Sequence, residues 1–304
     1  MRPLIAVLLT LLAAGASQTT SPVAVDFQAI NFHVAPGVVL EVRRLQGALI
    51  SRRANAPPNL DDVTSYELRI DAGEIAMSPA SLTNLLNQRV FTAGGPPIRH
   101  ATITIEDGLV KQQGKLQKGV QVPFTVVGNV SATPDGKIRV TPESVKTAGV
   151  PAKGVLKLLH IELDNLIPSA PSRGFATEGN DIVLDPATLL PDPRISGQLT
   201  AVRIEPTRIV QTFGRSAAHG PERRGNYMHY RGNRLKFGRL TMENTDLLLI
   251  DADPKDAFEF SPGAHQKQLA AGYSKTLLDG SLRVYMPDLD AAESGAPRKQ
   301  SGER

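Results

Sequence analysis

The sequence has no cysteine and no tryptophan, and aromatic residues make up only 5% of it. Without cysteine there are no disulfides and no thiolate metal sites, and there is no lipobox cysteine to carry an N-terminal lipid. With so few rings, a core has to be built from Leu, Val, Ile and Ala. Long apolar runs are also missing after the N-terminus, where nothing approaches the ~18 uninterrupted apolar residues of a membrane-spanning helix.

Catalytic signatures are absent as well. There is no Gly-x-Ser-x-Gly elbow, no His-Glu-x-x-His, no Walker loop and no Gly-x-Gly-x-x-Gly after a strand. The histidines His33, His100, His160, His219, His229 and His265 are scattered without ligand spacing. Asp251-Ala252-Asp253-Pro254-Lys255-Asp256 alternates carboxylates but lacks the glycine and terminal glutamate of a calcium loop, and Lys255 opposes a cation; it reads as a solvated turn. Asp61-Asp62, after Pro57-Pro58, reads as a loop with an Asp N-cap. No nucleophile–base pair can be named, so neither catalysis, nor a metal, nor a cofactor is expected.

What is present begins with an export signal. Arg2 supplies a positive n-region, Leu4 to Leu12 an apolar h-region too short to span a bilayer, and Ala14-Gly15-Ala16 an A-x-A site. Residues 1–16 are therefore expected to be a cleavable signal peptide. The mature chain is expected in the periplasm or outside the cell, soluble and without a transmembrane segment. A single domain over 17–290 and a disordered polar tail over 291–304 follow from length and composition.

Most of the mature chain alternates apolar and polar residues with the period of half-buried strands. Glu67-Leu68-Arg69-Ile70-Asp71, Ala101 to Glu106 and Leu199 to Glu205 are examples. Asp107-Gly108 and Pro134-Asp135-Gly136 lie between such runs and predict two hairpins, over 103–114 and 126–140. Ser78-Pro79 predicts a helix N-terminus, after which Leu82, Leu85, Leu86 and Val90 form one stripe. A longer amphipathic helix is expected over about 151–167, with Val155, Leu158, Leu159, Leu163 and Leu166 on one face and Pro168 at its end. Asp185 to Leu190 predicts a single helical turn, and 235–251 a further antiparallel pair. Together these features give an α+β class, with the sheet either flat over an ordinary core or curved around a cavity.

The formal charge of +4 is concentrated locally. Between Arg215 and Arg239 six arginines and one lysine face only Glu222, a local +6. Arg223, Arg224, Arg231, Arg234, Lys236 and Arg239 are interleaved with Tyr227, Tyr230 and Phe237. Residues 215–233 are read as a basic loop insert. Charge with interleaved rings suits single-stranded nucleic acid. Export makes that partner improbable, and anionic lipid headgroups or envelope polymers fit the compartment better.

Ser78-Pro79 before the Leu82/Leu85/Leu86 stripe, Ile105-Glu106-Asp107-Gly108-Leu109, Val122-Pro123-Phe124, Asp135 to Val140, Gly149-Val150-Pro151 and Phe213-Gly214 occur in an order that carries a resemblance. Over roughly 64–214 the chain resembles the LmeA-like and YceB-like bacterial periplasmic lipid-binding proteins of the tubular lipid-binding (TULIP, BPI-like) superfamily. The resemblance implies a long, curved antiparallel sheet wrapped around one long amphipathic helix plus a shorter helix. It also implies an apolar groove for acyl chains and no catalytic residues. Under it, Leu82, Leu85, Leu86, Val155, Leu158, Leu159, Leu163 and Leu166 contact the ligand.

Two functions follow as expectations. The first is an exported, non-enzymatic binding protein for lipid or another apolar ligand, in envelope lipid transport or maintenance. The second is an envelope scaffold or adhesion protein that docks on anionic partners through Arg215–Arg239.

Overall fold

In the computed structural model the described residues are 21–93, 96–118, 120–147, 150–151, 169–214 and 225–293. The expected signal peptide, residues 152–167 of the expected long helix, and residues 294–304 of the expected tail lie outside them.

Three long strands open the fold, β1 (Val23–Ala35), β2 (Val38–Ser51) and β3 (Tyr66–Met77), paired antiparallel in sequence order. Val23, Val25 and Phe27 of β1 point to the core, and then the inward set changes phase to Ile30 and Phe32. The change falls at Ala29, whose φ of +52° bends the strand. The following helix α1 (Pro79–Arg89) leads to a second meander. This comprises β4 (Ile98–Glu106), β5 (Leu109–Lys118), β6 (Val120–Ala132), β7 (Ile138–Thr147) and the two-residue β8 (Val150–Pro151). Asp107 and Gly108 both have positive φ, the conformation a two-residue hairpin demands, so the Asp-Gly signal forms the expected turn. The hairpin around Pro134-Asp135-Gly136 forms as well, with Val130 opposite Val140.

β9 (Phe175–Glu178) and β10 (Asp181–Leu184) complete this seven-stranded sheet, and Asp185 caps the single-turn helix α2 (Pro186–Leu189). The chain then returns to the first sheet. β11 (Arg194–Gly197) pairs parallel with the start of β3, and β12 (Leu199–Glu205) and β13 (Arg208–Gly214) continue beside its end. β14 (Tyr227–Gly232) docks on the other side, against β1. A small hairpin, β15 (Leu235–Phe237) and β16 (Leu240–Met242), precedes β17 (Thr245–Asp251). β18 (Phe258–Phe260), α3 (His265–Ala271), β19 (Tyr273–Thr276), β20 (Leu282–Met286) and α4 (Leu289–Glu293) follow. The first sheet is eleven-stranded, with β12 and β19 at its ends.

Two expectations are corrected here. The α+β layout of a sheet wrapped around one long amphipathic helix is replaced by a predominantly β architecture. Among the described residues the longest helix is α1, of 11 residues, and Val150–Pro151, expected at the head of the long helix, is a strand on β7. The apolar faces of the two sheets instead share one continuous core, with α1 between them. Secondly, Tyr227–Gly232, expected inside a basic loop, is strand β14 between β1 and β17, with Tyr227, Met228, His229 and Tyr230 buried. The helix α4, Leu289–Glu293, includes the first three residues of the expected tail.

Candidate functional site

The site begins with the local chemistry of α1. Ser78 is extended, and its Oγ accepts the Ser81 N–H at 3.1 Å while Pro79 occupies the first turn, where no N–H is needed. The polar side of the helix is tied to both neighbours. Asn84 Nδ2 and Gln88 Nε2 donate to the Gly37 and Pro36 carbonyls of the β1–β2 turn at 2.9 and 2.8 Å. Thr83 Oγ1 accepts the Ile103 N–H, and Asn87 Nδ2 donates to the Ala101 carbonyl, both at 2.8 Å. The last turn is held by the Arg173 guanidinium, which donates to the carbonyls of Arg89 at 3.3 Å and Ala93 at 3.0 Å. With these ties made, the Leu82, Leu85 and Leu86 stripe is fixed toward the space under the seven-stranded sheet.

That space is a cavity of about 60 Å³. Val110 on β5, Val126 and Val130 on β6, Ile138 and Val140 on β7, and Ile182 and Leu184 on β10 line its sheet side. They share one face because strand side chains alternate and the strands pair in register, Val130 beside Val140 and Val140 beside Ile182. Leu189 and Leu190, and Met77 and Ile209 of the first sheet, also line it. Among the described lining residues none is Asp, Glu, Lys, Arg or His; the amides of Gln112 and Gln211 are the polar side-chain groups. The described lining thus offers contact to apolar groups and, at the two amides, neutral hydrogen-bond partners. Leu82, Val130, Ile138, Val140 and Leu190 are half-buried, whereas Leu85, Leu86, Val126 and Ile182 are core.

Of the expected ligand contacts, Leu82, Leu85 and Leu86 are brought together here. Val155, Leu158, Leu159, Leu163 and Leu166 lie outside the described residues. The sheet side of the lining lies outside the expected contacts, although its signal, the spacing of Val126 and Val130 against Ile138 and Val140, is present in the sequence.

The expected basic surface is more dispersed. Arg223 and Arg224 lie outside the described residues. Arg231 is exposed at the end of β14, Lys236 on β15 and Arg239 in the turn of the β15–β16 hairpin, while Arg234 pairs with Glu243 at 3.1 Å.

Polar clusters elsewhere act as fastenings. Asp61 Oδ2 accepts the Gly238 N–H at 2.6 Å and Oδ1 accepts from Gln266 Nε2 at 3.0 Å. His265 is buried with its Nε2 3.2 Å from Asp61 Oδ1; its Nδ1–H donates to the Pro262 carbonyl, and its ring stacks on Phe237 and Phe260. Asp61 thereby joins the β2–β3 connection to the small hairpin and α3. On the first sheet, Asp246 accepts from His229 and Arg283 at 2.9 and 3.0 Å. Burial acts to raise the Asp246 pKa, but these two hydrogen bonds prevail and hold it below the usual carboxylate range. Among the described residues no three His, Asp or Glu side chains are placed to share a metal ion.

No protein-family model, curated protein or solved structure matches the chain.

Proposed function

We propose that this chain is an exported binding protein for lipid or another apolar ligand, which it holds between α1 and the seven-stranded sheet, with a role in envelope lipid transport or maintenance. The observation that carries this reading is the lining of the cavity: apolar side chains from α1, α2 and both sheets, no ionisable group among the described ones, and two amides. Each methylene sheltered there contributes about 0.8 kcal/mol. At about 60 Å³ the space takes a short apolar segment, and a whole acyl chain would require the half-buried Leu82, Val130, Ile138 and Val140 to move apart. The Arg2, Leu4–Leu12 and Ala14-Gly15-Ala16 pattern supports export, which would put the protein beside membranes.

A second reading, a scaffold docking on anionic partners, is favoured by the exposed Arg231, Lys236 and Arg239, which make no ion pair among the described residues. One experiment separates the two. Native mass spectrometry of protein incubated with phospholipid vesicles and re-isolated is expected to show a stoichiometric lipid adduct, which Val126→Phe, a filled cavity, removes without loss of fold. A clean apo mass for the unmodified chain sinks the ligand reading and leaves the scaffold.

A further inference from the structure

We propose that the β19–β20 hairpin is a membrane-docking finger whose Leu277 and Leu278 enter the interfacial layer of an anionic phospholipid bilayer. Leu277 is 43% exposed and Leu278 fully exposed, side by side at the turn. The turn is closed without them. The Gly280 N–H donates to the Leu277 carbonyl at 3.0 Å and the Leu277 N–H to the Ser281 carbonyl at 2.9 Å, with Gly280 at φ +83°. Asp279 Oδ1 accepts both the N–H and the hydroxyl of Ser281, at 2.9 and 2.6 Å. A solvated turn of this kind is served by Pro, Asp, Asn, Ser or Gly. Two leucines there add nothing to the core and expose apolar surface at the outermost point of the hairpin.

The residues behind the tip are graded as a bilayer surface requires. Lys275 lies about 7 Å behind Leu277 along the extended strand. Its ammonium sits 5.8 Å from the centroids of both Tyr273 and Tyr285, whose rings stack at 4.7 Å. An apolar tip, then a cation, then amphipathic rings matches acyl, phosphate and headgroup depths. Arg231 adds an exposed cation on the same end of the sheet: it is opposite Asp246, and the adjacent Leu247 is opposite Leu282, which places its backbone about 10 Å from that of Leu282, two strand spacings away. The charged Asp279 restricts the insertion to the interface. Its hydrogen bonds to Ser281 and the nearby Arg283 hold its pKa low.

A second copy of the chain fits less well. β19 is an end strand, yet it is short, exposed at all four residues and carries Lys275, the combination that discourages edge pairing. Two leucines also fall far short of the ~800 Å² that each partner buries in a stable protein interface.

Docking through this tip does not depend on the cavity and has its own test. The full chain is sedimented with vesicles of phosphatidylcholine alone and of an equimolar mixture with phosphatidylglycerol, with stronger binding expected on the mixture. The double variant Leu277→Ser/Leu278→Ser is expected to bind both at least roughly ten-fold more weakly, with thermal unfolding unchanged. Arg231→Gln/Lys275→Gln should weaken binding to the mixture alone. Because the chain has no tryptophan, Leu278→Trp is a clean reporter whose emission should shift to the blue on vesicles. Unchanged sedimentation of the serine variant, or a tryptophan that keeps its aqueous emission, overturns the proposal. So does a self-association, seen without vesicles, that the serine variant abolishes while vesicle binding is absent.

Discussion

Asp288 shows how a single carboxyl registers its surroundings. It is partly buried before α4, where its Oδ1 accepts the Glu259 N–H at 2.8 Å. Burial, opposed only by that bond and reinforced by the charges of Asp251, Asp256 and Glu259, raises its pKa to about 6, from 3.8. A carboxyl whose pKa is higher folded than unfolded stabilises the fold in its protonated form. That contribution is complete below the unfolded value and is lost as pH rises through about 6. Asp288→Asn keeps the acceptor and removes the charge. Allowing for solvent screening, it should be more stable than the unmodified chain by about 1 kcal/mol above neutral pH, with the difference vanishing near pH 4. Denaturant midpoints across that range check the sign; an advantage that grew on acidification would contradict it. Nothing in the sequence around Asp288 signals this, because Asp251, Asp256 and Glu259 reach it only through the pairing of β17 and β18 into the first sheet. The Asp61–His265 contact is similarly opaque: two ordinary residues meet across more than half of the chain, without any spacing to read.

At the scale of elements, legibility follows whether the signal is local. Ser78-Pro79 and Asp107-Gly108 act within four residues, and the helix and turn form as those residues dictate. Ser78→Ala removes the cap from α1 and should cost ~1 kcal/mol. It should also loosen the Leu82–Leu86 stripe, so thermal unfolding and apolar-ligand affinity are expected to fall together. Loss of stability with ligand affinity intact would detach α1 from the site. β14 was illegible for a contrary reason. Its core-facing Met228 and Tyr230 alternate with Tyr227 and His229, which are also buried, so the segment shows no wet face, and the surrounding arginines suggest a loop. Parallel pairings such as β18 on β1 and β20 on β17 join distant segments and leave no turn signature.

For the molecule as a whole, alternation read correctly as antiparallel sheet, but it did not reveal how the sheets bury their inner faces. Both sheets present apolar faces, and each covers the other with α1 between them, so the core does not depend on a long helix among the described residues. Three of the eight expected apolar contacts, Leu82, Leu85 and Leu86, thus face the sheet residues Val126, Val130, Ile138 and Val140 across one space. The ligand reading and the docking finger belong to different parts of the molecule, one between the sheets and one at a corner of the eleven-stranded sheet.

The most direct measurement is a crystal structure of the chain grown with a long-chain bromoalcohol, a neutral ligand suited to a lining without charge. Anomalous bromine density is expected between α1 and the seven-stranded sheet, against Leu86, Val126 and Ile182, with the hydroxyl toward Gln112 or Gln211. A cavity that stays closed, or bromine found only on the surface, would contradict the ligand reading.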